Sequence, residues 1–327
     1  MPPDQAAVRL FAGLHVNRML REAFPQCGVL LPSLPKTATV REFINQYWLR
    51  MECRAWRPDI LHKTLYCRHE PPAGLKLVIT LHDLAPARYP EYFPEAWYQT
   101  AMVRYWASRA DAILAVSETT RRDAIEILAI PPARIAVVRH GVARREPSAF
   151  ENAVSPHPRP YLLYVGQRYL YKNFRNLVRA YIRSGRVCET FDLVCFGGAD
   201  FSSEERSLAG GRLHFRGGDD ATLLHYYVHA RALVLPSVYE GFGLPIVEAM
   251  SAGCPVVCSD IPSSREIAGD GAAYFPPENV EAMTAVLERV LFDEEMLERN
   301  VALGRERAGQ FSWSKCAAET AAVYRSL

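Results

Sequence analysis

The stretch "SVYEGFGLPIVEAM", Ser237 to Met250, places two carboxylates, Glu240 and Glu248, on opposite sides of a Gly-Phe-Gly turn. The glycines of this turn permit positive φ angles and close approach of a ligand. Pro245 follows, and proline at a first helical position predicts that a helix begins there. The free N–H groups and positive dipole end of that helix favour an anion, so we expect a diphosphate at the turn.

The two glutamates differ in their place relative to the expected helix. Glu248 lies in its first turn or just beyond, where it can accept hydrogen bonds from a ribose diol. Glu240 precedes the turn and points at whatever is attached beyond the phosphates. The alternatives are that Glu248 only complements the helix dipole and that Glu240 is a solvated loop acid. A G-x-G sequence without a third glycine is weak evidence for a dinucleotide-binding fold.

Two cations follow the strand that opens the second half of the chain, in "YVGQRYLYKNF". The strand is predicted to end at Gly166, and Arg168 and Lys172 lie in the loop after it. Cations beside a strand end suit a diphosphate leaving group, whose charge grows as its bond to a sugar breaks. The alternative is a pair of solvated surface cations.

Polar residues also follow two strands of the first half. The apolar run in "KLVITLHDL" delivers His82 and Asp83 to its carboxyl end, where a histidine can contact substrate or titrate near neutrality. The alternative is a histidine that is only hydrogen-bonded locally, for example to Asp83. In "ADAILAVSETT", Ser117 is placed to cap a helix, with Thr120 beyond it, and a cap needs no ligand to explain it.

Short β-branched apolar runs alternate with helical periodicity along the chain, which predicts a parallel α/β fold. In the first half we expect strands near 29–32, 60–63, 76–81, 112–116 and 134–138. A linker bearing proline and serine, 141–160, precedes a second alternating series that begins with "YLLYVG". Two doubly wound domains would place a cleft between the carboxyl ends of their strands, and ligands should bind there.

Composition limits the classes of partner. The 327 residues are 49% hydrophobic and 23% charged, as in ordinary globular proteins. The first 158 residues carry 20 Lys and Arg against 15 Asp and Glu, and the remainder carries 18 against 21. This mild excess favours an anionic ligand or membrane surface for the first half, and the lack of a basic block interleaved with aromatic residues disfavours nucleic acid.

The cysteines and the apolar runs indicate the compartment. Eight cysteines are scattered without a C-x-x-C pair, as is typical of reduced core thiols. No run approaches the ~18 apolar residues of a membrane span, and the N-terminus lacks a signal-peptide pattern. We therefore expect a cytoplasmic protein.

The segment "REFINQYWLRMECRAWRPD" predicts a basic amphipathic helix with Arg50, Arg54 and Arg57 on one face. Its other face holds Ile44, Trp48, Met51 and Ala55. We expect this apolar face to pack on the sheet, with the arginines solvated. The alternative is a helix that lies on anionic lipid.

Taken together, the order of these segments resembles the retaining family 4 glycosyltransferases of GT-B architecture. The resemblance covers nearly the whole chain from about Pro58, and its most specific part is the E-x7-E stretch with its flanking "PS" and "AMSAGCPVV". It implies two facing Rossmann-like domains, 1–145 and 161–308, joined by a linker, 146–160. A C-terminal helix, 309–327, would return to the first domain.

The resemblance also implies roles for individual residues. His82 would contact the reacting sugar and Glu240 would lie against the donor sugar, which makes them the candidate catalytic residues. Arg168 and Lys172 would hold the diphosphate, Glu248 would hold the ribose, and the "GG" after "LHFR" would approach the nucleobase. The implied donor-binding set is Gly166, Arg168, Lys172, Gly217, Gly218, Phe242, Gly243, Leu244 and Glu248, in which the residues of the turn present backbone amides.

For this family, retention implies front-face attack, in which the acceptor hydroxyl enters on the side that the nucleotide leaves. The diphosphate would accept the proton, and cations with a helix dipole would replace a metal, so we expect neither metal nor cofactor. The "YKNF" and "HDL" variants resemble bacterial transferases that move mannose from GDP-mannose in polysaccharide and lipopolysaccharide assembly. The acceptor would be a glycan or lipid-linked glycan. The alternative placement of the basic helix on anionic lipid would make the enzyme peripheral on the inner face of the plasma membrane.

The chain departs from the family pattern at two places. Tyr171 stands where many relatives have an arginine before the diphosphate lysine, so either Arg168 supplies the second cation or that cation is missing. The N-terminal segment, 1–24, is typical of a helix, so we predict that the family's first strand and its glycine-rich loop are missing. The alternative function is then a catalytically silent GT-B protein that binds nucleotide or partners an active transferase. An NAD-dependent oxidoreductase is disfavoured because no G-x-G-x-x-G follows an early strand.

Overall fold

The structure of the protein is a computed structural model, which describes residues 7–11, 13–15, 28–30, 38–64, 74–143, 150, 152–208 and 210–327. Strands and helices alternate along the described chain, and buried apolar residues form cores on both faces of two parallel sheets. The predicted α/β class is therefore confirmed. The predicted limits of the domains and linker stay predictions.

A short strand, β1 Gly13–His15, pairs in parallel with β2 Gly28–Leu30. The prediction that the first strand is missing is therefore wrong. Pairing with β2 fixes an extended backbone where the apolar periodicity favoured a helix, since tertiary contacts override local preference. Residues 16–27, where the glycine-rich loop would lie, are outside the described residues, and their sequence contains no glycine.

The sheet of the first half has four parallel strands in the order β3-β4-β5-β6. They are β3 Ile60–Lys63, β4 Lys76–Leu81, β5 Ala112–Ala115 and β6 Ile135–Val137, and the helices are α1 Ala38–Trp56, α2 Ala85–Arg88, α3 Ala96–Arg109 and α4 Glu118–Leu128. The predicted limits of β3 and β4 are confirmed, whereas β5 ends one residue earlier than predicted and β6 is one residue shorter at each end. These strands bring "HD" and "SETT" to one edge of the sheet.

The sheet of the second half has six parallel strands in the order β12-β11-β10-β7-β8-β9. They are β7 Tyr161–Val165, β8 Asp192–Phe196, β9 Leu213–Arg216, β10 Ala232–Leu235, β11 Val256–Ser259 and β12 Ala272–Phe275. Successive residues of β7 enter opposite cores, Tyr161 on one face and Leu162 on the other. Because both faces are buried, the strands are apolar almost throughout.

Helices cover both faces of this second sheet. They are α5 Phe174–Arg183, α6 Gly185–Thr190, α7 Ser203–Leu208, α8 Asp220–His229, α9 Leu244–Ala252, α10 Pro262–Ala268, α11 Val280–Leu291 and α12 Glu294–Ala308. Strand order reverses between β7 and β10, which makes that pair the topological switch point of a doubly wound sheet. In such sheets ligands bind outside the carboxyl ends of the strands at the switch point.

The last helix, α13 Trp313–Arg325, returns to the first sheet, as predicted. Its Val323 and Tyr324 pack beside the buried Val78 and Leu114 of β4 and β5. The Tyr324 hydroxyl lies 2.5 Å from His62 Nδ1. Burial, with a smaller contribution from the charge of His82, lowers the pKa of His62 to about 4, so the imidazole is neutral at physiological pH. The helix therefore joins the two halves through a partly buried, uncharged contact.

Helix α1 contacts β1, but most of its predicted apolar face is open to solvent. Ile44 is 42% and Met51 53% exposed, Ala55 is also exposed, and only Trp48 is partly covered, against the ring of Phe11. The expectation that this face packs on a sheet is therefore wrong for most of it. Among the described residues, no helix combines the length and apolarity that a bilayer-spanning segment requires.

Candidate active site

The carboxyl ends of four strands from the two sheets meet at one cleft. Gly166 follows β7 and the segment 236–243 follows β10, so both lie at the switch point of the second sheet. His82 follows β4 and Ser117 follows β5 of the first sheet. The structure therefore brings together the segments that contain the separate candidate site residues of the sequence analysis.

The Gly-Phe-Gly turn leads directly into helix α9. Gly243 is its N-cap with φ +95° and ψ +51°, a left-handed conformation that favours glycine. The helix begins at Leu244, one residue before the predicted start, and Pro245 is its second residue. Leu244 is 37% exposed while Ile246 is fully buried, so the N-terminal turn is accessible and the rest of the helix packs on the core. An accessible helix N-terminus at a switch point favours an anion.

Glu240 and Lys172 form an ion pair at this cleft. Lys172 Nζ donates to both carboxylate oxygens, at 2.8 and 2.9 Å, and Ser237 Oγ donates to Oε1 at 2.6 Å. The side chains are 20% and 12% exposed for Lys172 and Glu240. Burial would lower the pKa of Lys172, but the Glu240 charge and other groups outweigh it and raise the pKa. Lys172 therefore stays charged at neutral pH.

Glu248 lies one turn into α9, and its Oε2 accepts a hydrogen bond from the Tyr227 hydroxyl at 3.0 Å. Tyr227 is 2% exposed and comes from α8, so the carboxylate of the half-buried Glu248 is oriented by a group beneath it. Sequence reasoning missed Tyr227, because a tyrosine inside "LLHYYVHA" is indistinguishable from an ordinary core residue. The ribose-binding role of Glu248 stays a prediction.

His82 is exposed at the end of β4, and its Nε2 donates to the Thr64 carbonyl at 3.1 Å rather than bonding to Asp83. Its ring stacks on His140, with centroids 5.6 Å apart. Burial, and then the charge of His82, lower the pKa of His140 to about 4. His140 also packs edge-on against Phe242 at 5.3 Å. Sequence reasoning missed His140. The one signal for it was its position in "VVRHGV", just after β6.

Arg168 is held within its own domain. Its Nε donates to Glu205 at 3.0 Å, an Nη donates to the Ala199 carbonyl, and the Phe201 ring lies 4.7 Å from the guanidinium. The side chain is 7% exposed. The structure therefore does not place Arg168 and Lys172 on one common partner, and the diphosphate role of Arg168 stays a prediction.

Tyr171, which replaces the family's arginine, packs its ring 5.0 Å from that of Phe93 in the first half. The residue thus contributes an aromatic contact across the cleft in place of a charge. Gly217 and Gly218 lie exposed after β9, where Asp219 caps α8 by accepting from Thr222 N at 2.8 Å. Like Gly166, they follow the carboxyl end of a strand of the second sheet. Their approach to the nucleobase stays a prediction.

Known sequence families match both halves of the chain. The family described as "Glycosyltransferase Family 4" matches residues 18–146, and that described as "Glycosyl transferases group 1" matches residues 146–307. The "O-antigen chain mannosyltransferase B" of Escherichia coli is 32% identical over 269 residues, which cover 77% of this chain and 71% of that protein. The chain belongs to glycosyltransferase family 4.

This family 4 glycosyltransferase is also similar to "O-antigen chain mannosyltransferase RfbU" of Salmonella typhimurium strain LT2. The two are 25% identical over 297 residues, covering 84% of this chain and 80% of that protein. Among solved structures, the Anabaena protein Alr3699/HepE in complex with UDP-glucose superposes with a TM-score of 0.74 at 16% identity, covering 94% of this chain and 88% of that one. The likeness shows the GT-B fold, and the predicted fold and enzyme class are confirmed.

Proposed function

We propose that this glycosyltransferase moves a hexose, with retention of anomeric configuration, from a nucleoside diphosphate sugar to a glycan acceptor in polysaccharide biosynthesis. The observation that carries the proposal is the Lys172–Glu240 ion pair at the switch point, beside the N-terminus of α9. A cation, a helix dipole and a carboxylate at one point match the diphosphate and sugar ends of such a donor.

The chemistry follows from these charges. As the bond between sugar and diphosphate breaks, negative charge grows on the leaving group, and Lys172 with the α9 dipole stabilises it. The acceptor hydroxyl then attacks from the face that the nucleotide leaves, and a diphosphate oxygen takes its proton. Glu240 is engaged by Lys172 through both oxygens, which fits a role in orienting the sugar better than a role as a nucleophile. No metal is needed in this proposal because the protein supplies the positive charge.

The names of the relatives support mannose as the sugar, since two of them are O-antigen chain mannosyltransferases. GDP as the nucleotide and a lipid-linked glycan as the acceptor rest on the resemblance of "YKNF" and "HDL" to mannosyltransferases. A thermal-shift screen of GDP- and UDP-sugars tests the donor, because a ligand that binds only the folded state raises its melting temperature. GDP-mannose should give the largest shift.

Substitution of the ion pair tests the reaction itself. Lys172→Ala and Glu240→Ala should each lower kcat by about 10²- to 10³-fold, as loss of a preorganised charge at a reacting centre does. Lys315→Ala is the matched control, because Lys315 also pairs with a glutamate, Glu319, but at 4.0 Å on α13 and with a side chain that is 59% exposed. Near-normal transfer by both site variants would refute the assignment. Binding of GDP-mannose without transfer or hydrolysis would support a catalytically silent protein instead.

Helix α1 supports a membrane contact as a second part of the proposal. Phe43 and Tyr47 are 69% and 66% exposed; Arg50 and Arg54 of the same helix are exposed, as is Arg57 just after its end. Apolar side chains flanked by cations on one helix match an anionic lipid surface.

Co-sedimentation with vesicles of anionic and of neutral lipid tests this contact. Charge reversal at Arg50, Arg54 and Arg57 should abolish binding to anionic vesicles, whereas reversal of the exposed Arg179, Arg183 and Arg299 of the second half should not. Equal binding by both triple variants would remove the membrane contact from the proposal.

A further inference from the structure

Glu240 lies between two residues that are both bonded to the opposite half of the protein. On one side, the Tyr239 hydroxyl donates to Asp123 Oδ2 at 2.7 Å and accepts from Leu84 N at 3.2 Å. On the other side, the Gly241 carbonyl accepts from Ser117 Oγ at 2.5 Å. The backbone on each side of the candidate catalytic carboxylate is therefore anchored by the start of α2 and by α4 with its N-cap.

The bond between Tyr239 and Asp123 is shielded from water. Tyr239 is 7% and Asp123 6% exposed, and the Tyr89 ring packs against that of Tyr239 with centroids 5.7 Å apart. Burial raises the pKa of the Asp123 carboxyl, although the hydrogen bond from Tyr239 opposes this. Hydrogen bonds to an ionised or partly desolvated carboxylate are stronger than neutral ones, and leaving such a group unpaired is costly.

The backbone at Gly241 also lies close to the first half of the protein. A Cβ built there would lie 1.9 Å from the His82 carbonyl oxygen, so the two backbones touch across the cleft. Thr120 Oγ1 donates to the same Gly241 carbonyl at 3.2 Å. These contacts exist only when the two halves meet, whereas the bond from Lys172 to Glu240 lies within the second half.

We infer that Tyr239 and Asp123 are positioning residues, which hold the backbone of Glu240 in place through a contact with the opposite half of the protein. The geometry of the donor-side carboxylate then depends on contact with the acceptor-side half. The contacts with α4 and with the start of α2 set the Glu240 backbone. The inference rests on the proposed function, since it assigns to these two residues an effect on Glu240 chemistry.

Single-group substitutions test the inference. Tyr239→Phe removes only the hydroxyl, and Asp123→Ala removes the acceptor, whereas Asp123→Asn keeps an oxygen that accepts from Tyr239. We expect about a tenfold fall in kcat with little change in the KM for GDP-mannose in the first two, and substantial rescue in Asp123→Asn. Tyr181→Phe is the matched control, because its buried hydroxyl donates to the Phe191 carbonyl at 2.7 Å at the opposite end of the second sheet.

A double-mutant cycle separates positioning from general stability. If Tyr239 acts through Glu240, Tyr239→Phe should lower the residual turnover of Glu240→Ala no further, whereas its effect on the melting temperature should be the same in both backgrounds. A second tenfold loss in the Glu240→Ala background would overturn the inference, as would unchanged kcat in Tyr239→Phe. Full turnover by both Glu240→Ala and Lys172→Ala would instead overturn the proposed function.

A second route avoids the tyrosine. Ser117→Ala combined with Thr120→Val removes both side-chain donors to the Gly241 carbonyl. This variant should show the same fall in kcat and the same dependence on Glu240. Turnover equal to that of the unsubstituted protein would contradict the inference even where Tyr239→Phe fails to fold.

Discussion

Gly241→Ala should separate the two halves of the protein by a measurable distance. The added Cβ would meet the His82 carbonyl oxygen at 1.9 Å and Asp83 Cβ at 2.8 Å. Carbon–oxygen contacts are tolerated from about 3.3 Å, so the segment after β10 must retreat from β4 by about 1.4 Å. Backbone atoms stand on both sides of the contact, and no side-chain rotation can relieve it.

The expected cost divides between stability and turnover. Overpacking of this kind destabilises a folded protein by about 1–3 kcal/mol. A shift of about 1 Å at a reacting centre can cost 10²-fold in rate, so kcat should fall by about that factor. Initial rates of mannosyl transfer at saturating GDP-mannose measure the second effect, and urea unfolding measures the first.

Gly185→Ala is the control for this prediction. Gly185 is the first residue of α6, and a Cβ there would have no atom within 4 Å. Its turnover should match that of the unsubstituted protein. If Gly241→Ala also turns over within threefold of normal, the close approach of the two halves does not exist in the active enzyme.

Three further predictions concern stability and reactivity. Asp192 is 2% exposed, and its Oδ2 lies 2.8 Å from His157 Nε2. Burial would raise the pKa of this carboxyl, but its hydrogen-bonded and charged partners outweigh burial and lower the pKa. The stability that Asp192 contributes is therefore complete above pH ~4 and is lost as the pH falls below that value. Asp192→Asn should cost about 3 kcal/mol in urea unfolding at pH 7 and less near pH 3, and an equal cost at both would contradict this. Tyr324→Phe removes the contact with His62 and should lower the free energy of unfolding by about 1 kcal/mol in the same urea assay. An unchanged free energy of unfolding would show that the contact does not stabilise the protein. Cys258, fully buried with its pKa raised by burial to about 12, should react with a thiol reagent only after unfolding, and rapid native labelling would count against its placement.

Local pattern was sufficient for the strands and for the turn. The limits of β3 and β4 follow from apolar runs bounded by polar residues, and the start of α9 follows from Pro245 to within one residue. These features depend on neighbours in the chain, so sequence reasoning reaches them.

Features that depend on long-range contacts were not predictable in the same way. β1 is a strand because it pairs with β2, although its own residues favoured a helix. Arg168 turns to Glu205, and Tyr239 reaches Asp123, through contacts between segments 37 and 116 positions apart. Which partner such a side chain takes is decided by the docking of elements, and local spacing carries no information on it.

The anomeric configuration of the product tests the central claim most directly. Transfer from GDP-mannose labelled at C1, followed by NMR of the product, should show an α-mannoside that retains the donor's configuration. The signal should fall by about 10²-fold or more in Glu240→Ala and Lys172→Ala. An inverted β-mannoside, or an undiminished α signal in both variants, would contradict the account.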